Sequence, residues 1–315
     1  MNIVILDGYT CNPGDLSWAP FEAVGNLTVY ESTEPNQVVQ RCKGCEIVIS
    51  NKTLLPKETL QQMPWVKYIG LLSTGYNVVD VKAAEELGIP VCYVPDYSTN
   101  AVAQHTFALL LELCNHVGRH SADVRAGQWE TCRRFCFWNA PLTELAGKTF
   151  GILGMGNIGK KVAGIASALG MKVIYHSRTP KPHLPYEAVD LNTLFSQADV
   201  LSLHCPLTPE TRGVINKETL SKMKPTAFLI NTSRGPVFVE EDVAEALHQN
   251  RLAGVGVDVL CQEPPKDGSP LLTAPNCVIT PHLAWAAKET RQRLIDWAAE
   301  NLQAYLRGEP QNLAK

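Results

Sequence analysis

The chain has 315 residues, 45% hydrophobic and 19% charged, with 28 basic and 31 acidic side chains for a net charge of −3. That length suits two domains, and the composition is that of an ordinary soluble globular protein. The charge gives no electrostatic footprint for nucleic acid or an anionic membrane, and no apolar run approaches the roughly 18 residues of a membrane helix.

Residues 3–6 read as a short buried strand closed by Asp7 and Gly8. The N-terminal stretch lacks the basic start of a signal peptide, so a cytoplasmic protein is expected. Residues 27–30, 46–51, 66–72 and 90–94 read as further strands, with short helices at 37–42 and 56–62. Such alternation argues for a parallel sheet with helices on both faces. A long helix is expected at 100–116, carrying Val102, Phe107, Leu110, Leu111 and Cys114, and residues 119–147 read as irregular. Its apolar character, beside the aromatic loop 129–138, suggests a subunit contact.

The alternation restarts at Thr149, with strands expected at 150–153, 172–175, 200–203, 227–231, 254–259 and 277–280. The final helix, 289–306, has no strand after it to join and is expected to pack back on the first unit. Ten cysteines are present. Cys42 and Cys45 have C-x-x-C spacing, but no second pair follows at zinc-finger distance, so no metal site is expected. Cys132 and Cys136 are expected to be partly exposed. Cys92, Cys114, Cys205, Cys261 and Cys277 mostly sit beside apolar residues, as buried free thiols do.

The second unit opens on G-x-G-x-x-G at Gly154, Gly156 and Gly159. An apolar strand precedes it, and Ile158, Val162, Ile165 and Leu169 follow at helical spacing. Gly154 permits the tight turn, Gly156 lets backbone approach a pyrophosphate, and Gly159 lets helix pack on strand. The free N–H groups of the helix N-terminus complete an anion site. The expected architecture is α/β, with two Rossmann-like doubly wound parallel-sheet domains and the cofactor domain inserted in the substrate domain. Residues 1–99 and 288–315 would form the substrate-binding (catalytic) domain, and 100–287 the dinucleotide-binding domain.

A carboxylate about 18–20 positions past the glycine turn normally binds the adenosine ribose. That count from Gly159 reaches Ser177, beside Arg178, with no acid there. Ser177 can donate to a 2′-phosphate and Arg178 can pair with it, with Lys181 adding charge, so NADP is expected ahead of NAD. The bland alternative is a solvated basic loop.

Arg234, Glu263 and His282 each follow a strand of this unit, where ligands of open α/β sheets bind. Singly, they could be a loop cap, a surface charge and a satisfied loop histidine. Together they offer a guanidinium for a carboxylate, an acid for a carbonyl oxygen and a carboxylate to fix the imidazole. Lys52, past a first-domain strand, offers a polar substrate contact or a solvated charge.

Over essentially its whole length the sequence resembles the D-isomer-specific 2-hydroxyacid dehydrogenases. The matching motifs are the glycine turn, residues 204–208, residues 231–235, Asp258 with Glu263 and Pro264, and Pro281 with His282. The resemblance implies that Arg234, Glu263 and His282 are catalytic and that Asp258 holds the nicotinamide carboxamide. It implies a cofactor lining of Thr106, Met155, Asn157, Ile158, His204, Cys205, Pro206, Thr211, Thr232, Ser233, His282 and Ala284. Ser73, Thr74 and Gly75 match the loop that binds the substrate carboxylate. Residues 73–80 and 282–285 look most like the glycerate dehydrogenase, or hydroxypyruvate reductase, branch. The implied activity is reduction of hydroxypyruvate or glyoxylate to the D-2-hydroxy acid by a homodimer. Residues 135–138 are similar to a segment that in relatives places a tryptophan at the partner's active-site mouth. Two features depart from the family: Ala284 and Trp285 replace a glycine-rich stretch, and the ribose-binding acid is missing. The rivals are a larger keto acid and a non-catalytic dinucleotide sensor; the complete catalytic trio opposes the second.

Overall fold

The computed structural model describes residues 1–179 and 181–315. The chain divides into two compact units. One is discontinuous, formed by residues 1–98 and 285–315; the other, residues 99–284, is inserted within it.

The discontinuous unit is built on five parallel strands: β1 (Asn2–Ile5), β2 (Asn26–Val29), β3 (Ile47–Ser50), β4 (Tyr68–Leu71) and β5 (Val91–Cys92). Their order is β2-β1-β3-β4-β5. The central strands β3 and β4 are buried throughout, because both faces of a parallel sheet are covered and every position must be apolar or internally satisfied. Ile3, Ile5, Ile47, Ile49 and Tyr68 share a core with Leu294, Ile295, Ala298 and Leu302 of the last helix, Lys288–Leu306. Val4, Val48, Ile69 and Val91 join a second core with Leu55, Leu60, Ala83 and Ala84. This division follows the two-residue period of a strand. No strand follows the last helix among the described residues, as the sequence leads one to expect, but its tail touches β5. Leu313 pairs antiparallel with Cys92, and the Ala314 N–H donates to Val91 O at 2.8 Å. An edge strand has open backbone groups for such a partner.

The inserted unit holds seven parallel strands: β6 (Thr149–Leu153), β7 (Lys172–His176), β8 (Glu187–Ala188), β9 (Val200–Leu203), β10 (Phe228–Asn231), β11 (Gly254–Val257) and β12 (Cys277–Ile279). Their order, β12-β11-β10-β9-β6-β7-β8, reverses direction at β6. The neighbours β6 and β9 therefore mark the switch point where dinucleotides bind in doubly wound sheets. The short edge strand β8 went unread because both of its residues are exposed.

Helix Thr99–Asn115 buries Val102, Ala103, Phe107, Leu110, Leu113 and Cys114. Most of these pack with Phe150, Ile152, Val200, Phe228 and Ile230, and Phe107 stacks on Phe150 at 5.7 Å. Its apolar side is thus core of its own unit, while Leu111 stays exposed. Residues 119–147 are not irregular throughout, since helix Val117–Arg125 occupies their start. That helix has no buried residue, so it leaves no apolar period to detect; His116 at φ 48° separates it from the preceding helix. Cys261 is exposed rather than buried, since it lies in the loop beyond β11. Cys277 is half-buried, while Cys92, Cys114 and Cys205 are buried.

No helix among the described residues is long and apolar enough to cross a membrane. No group of three or more metal-ligating side chains occurs among them.

Candidate active site

The turn after β6 separates the duties of its three glycines. Gly154 has φ +101°, and a Cβ there would stand 2.6 Å from Cys205 N. A Cβ on Gly159 would meet Gly154 O at 2.3 Å. These two are required by the protein's own backbone. A Cβ on Gly156 would meet nothing within 4 Å. Gly156 is the N-cap of helix Asn157–Ala168, and no side chain caps that end. Met155 is buried and Ile158 packs on the core, while Gly156 and Asn157 are exposed. Uncapped N–H groups beside an open glycine fit a dinucleotide pyrophosphate.

The loop after β9 lies against this turn. Burial pushes His204 down to about 3, so the ring stays neutral, with Nε2 at 2.8 Å from Ser202 Oγ. Thr211 Oγ1 donates to Pro206 O at 2.6 Å, which shapes the same loop. Beyond β7, Ser177 Oγ donates to Thr179 O at 2.5 Å. Its single proton is thus turned back on its own loop in this structure. Arg178 is exposed, and its charge is one of the smaller influences holding Glu210 below its ordinary value; the Thr208 hydroxyl is the largest.

Three loops at the carboxyl ends of β10, β11 and β12 carry the candidate catalytic side chains. Beyond β10, Asn231 organises the turn: its Oδ1 accepts from Ser233 N at 3.0 Å and Ser233 Oγ at 2.9 Å, and its Nδ2 donates to Arg234 O at 2.9 Å. Arg234 is exposed and spends one guanidinium nitrogen on Ser233 O at 2.7 Å. Beyond β11, buried Glu240 accepts from Cys261 N at 2.6 Å and Ser269 Oγ at 2.5 Å, anchoring the loop that carries Glu263. Glu263 Oε1 accepts from Leu260 N at 2.9 Å, and Oε2 lies 2.6 Å from His282 Nδ1. An ionised carboxylate only accepts, so Nδ1 carries a hydrogen and Nε2 faces outward from the pair. His282 has φ 53°, an unfavourable left-handed conformation for a side-chain-bearing residue.

Asp258 secures that turn. Its carbonyl accepts from His282 N at 2.7 Å, and its carboxylate accepts from Thr280 Oγ1 at 2.6 Å, Leu283 N at 2.9 Å and Ala284 N at 2.8 Å. Burial pushes its pKa up, but hydrogen bonds led by those from His105 and Thr280 outweigh this and hold it below the ordinary value. Buried Thr106 donates to Val102 O at 2.9 Å and meets Thr232 Oγ1 at 3.1 Å, linking the long helix to the loop after β10.

In the first unit, the Ser73 hydroxyl donates to Gly75 O at 2.6 Å and the Thr74 hydroxyl to Val94 O at 2.8 Å. Among the described residues, none accepts from the backbone N–H of Thr74 or Gly75. The loop is thus closed by its side chains. Exposed Lys52 sits on a loop held by Asp7, whose carboxylate accepts from the backbone N–H of Asn51 at 2.7 Å and Thr53 at 2.8 Å, and from that of Lys52. Sequence reading passed over Asp7, His105 and Glu240. Acids at loop ends look like solvated charges, and their partners lie far away in sequence.

A doubly wound parallel sheet with an open glycine turn at its switch point, and a histidine–glutamate pair at its strand ends, defines a dinucleotide-dependent oxidoreductase. Residues 107–284 match the family model described as D-isomer specific 2-hydroxyacid dehydrogenase, NAD binding domain. The chain belongs to the D-isomer specific 2-hydroxyacid dehydrogenases. It is 48% identical over 319 residues to a hydroxypyruvate reductase of Blautia hydrogenotrophica, covering 99% of each chain. It is 42% identical over 289 residues to a glycerate dehydrogenase of Methylorubrum extorquens, covering 91% of each. Its fold is similar to an acyclic imino acid reductase in complex with NADPH and D-Arg, with TM-score 0.88, 31% identity and 100% coverage of both chains.

Proposed function

We propose that this enzyme reduces a small 2-keto acid, hydroxypyruvate or glyoxylate, to the D-2-hydroxy acid. The bound nicotinamide dinucleotide supplies the hydride to the keto carbon. Arg234 clamps the substrate carboxylate and polarises the carbonyl through the guanidinium N–H groups not spent on Ser233. His282 gives the Nε2 proton to the carbonyl oxygen while Nδ1–H stays on Glu263, which stabilises the charged ring and fixes its rotation. The Thr74 and Gly75 amides and Lys52 are further substrate contacts, and Asp258 is a contact for the nicotinamide carboxamide. The 2.6 Å His282–Glu263 bond is the observation that carries this reading.

NADPH is the proposed coenzyme, on the strength of Arg178 and the absence of an acid beside it. A homodimer is proposed from the aromatic loop. Phe135 is 90% and Trp138 65% exposed, around a cavity of about 710 Å³, and an apolar patch of this kind marks an interaction surface. Free thiols throughout the described residues suit the reducing cytoplasm.

Initial rates with hydroxypyruvate, glyoxylate and larger keto acids, each with NADH and NADPH, test the reading. His282→Ala should lower turnover roughly 10²-fold while dinucleotide affinity holds. Near-normal turnover in that variant would remove His282 from its role, and a preference for bulky keto acids would change the substrate.

A further inference from the structure

A hydrogen-bonded chain reaches the His282 turn from helix Thr99–Asn115. His105, on helix Thr99–Asn115, places Nε2 2.8 Å from Thr280 Oγ1 and 3.5 Å from Asp258 Oδ1, with its side chain mostly buried. Counting protons fixes the direction of the chain. Asp258 is ionised and can only accept. The single Thr280 hydroxyl proton therefore goes to Asp258 Oδ1 at 2.6 Å in preference to Val257 O at 3.5 Å. Thr280 Oγ1 must then accept from His105, so Nε2 of His105 carries a hydrogen.

The Asp258 carboxylate passes this order on to two successive backbone groups, the N–H groups of Leu283 and Ala284, while its main-chain carbonyl accepts from His282 N. The turn needs the restraint, because a left-handed residue relaxes when its neighbours release it. Glu263 fixes the rotation of the His282 ring, while the Asp258 carboxylate and carbonyl, together with the Thr280 carbonyl, fix the backbone from which the ring projects.

We infer that His105 is a positioning residue: acting through Thr280, it orients the Asp258 carboxylate and so holds His282 in its strained, proton-donating pose. The inference rests on the proposed role of His282 for its kinetic part only. The imidazole geometry stands apart from any substrate.

The test compares full-length Thr280→Val, Thr280→Ser and His105→Phe with wild type. Thr280→Val keeps volume and His105→Phe keeps a planar ring of larger size; each removes a link and should lower kcat about tenfold or more with keto-acid KM within about twofold. Thr280→Ser should restore near-normal kcat. In a His282→Ala background, His105→Phe should cost nothing further, since the two residues act on one step. Imidazole ¹H–¹⁵N spectra should show a protected Nε2–H on His105 that Thr280→Val abolishes and Thr280→Ser retains. An equal loss in both backgrounds, or full activity in Thr280→Val, would overturn the inference. If wild type reduced no 2-keto acid, the functional reading would fail, and the spectra alone would decide this one. A missing Nε2–H signal would then reject it.

Discussion

Gly235 lies against Leu260 so closely that a Cβ on it would stand 2.0 Å from the Leu260 carbonyl carbon and oxygen. The loop bearing Arg234 and the loop bearing Glu263 thus touch backbone to backbone, with no side chain between them. Gly235→Ala has no flexible neighbour to push aside. It should cost about 1–3 kcal/mol in denaturant unfolding and also reduce turnover, because the Arg234 loop must move. An alanine variant with unchanged stability would mean that the two loops separate without penalty.

The glycine turn allows a paired comparison. Gly159→Ala drives a methyl into Gly154 O and should lower the melting temperature. Gly156→Ala meets no protein atom and should melt like wild type, while dinucleotide affinity falls because the methyl takes up ligand space. Calorimetric melting and dinucleotide titration of both variants separate a fold requirement from a ligand requirement.

Coenzyme preference should turn on Arg178. Arg178→Ala should raise the KM for NADPH by about tenfold or more and leave that for NADH nearly unchanged, given the usual strength of a charge-assisted phosphate contact. Ser177→Asp should move preference toward NADH by repelling the 2′-phosphate. Steady-state kinetics with both coenzymes give the answer. A wild type that favours NADH tenfold would show Arg178 to be a surface charge.

Acid stability should report on His204. Burial lowers it from 6.5 to about 3, so below pH 6.5 the unfolded chain takes up a proton that the folded chain refuses. This contribution is complete above pH 6.5 and is lost as pH falls toward 3, at up to about 1.4 kcal/mol per pH unit. His204→Gln should flatten the urea-midpoint profile between those limits. An unchanged slope would show that the ring is protonated in the folded state without penalty.

Much of this was legible in the sequence, for identifiable reasons. Buried parallel strands must be apolar, so β1, β3, β6, β9 and β10 announced themselves, and residues just past them fell at strand ends. His282 and Glu263 were visible this way, although nothing local showed that their side chains meet across 19 positions. The supports were hidden. Asp7 serves a loop 44–46 residues away and Glu240 one 21–29 residues away, and in both cases an isolated acid looks the same whether solvated or buried. The turn of the Ser177 hydroxyl back on Thr179 was likewise hidden. Helix Val117–Arg125 escaped because it buries nothing.

The insertion also imposes a timetable on synthesis. Residues 1–98 emerge from the ribosome without helix Lys288–Leu306, which covers Ile3, Ile5, Ile47, Ile49 and Tyr68. The 186 residues from 99 to 284 must be translated first, a delay of roughly 10–40 s at ordinary elongation rates. The inserted segment is contiguous and can finish folding during that time. The first sheet meanwhile waits with Phe21 and its neighbours covering only part of one apolar face, and the rest of that face stays open to water until the last helix arrives.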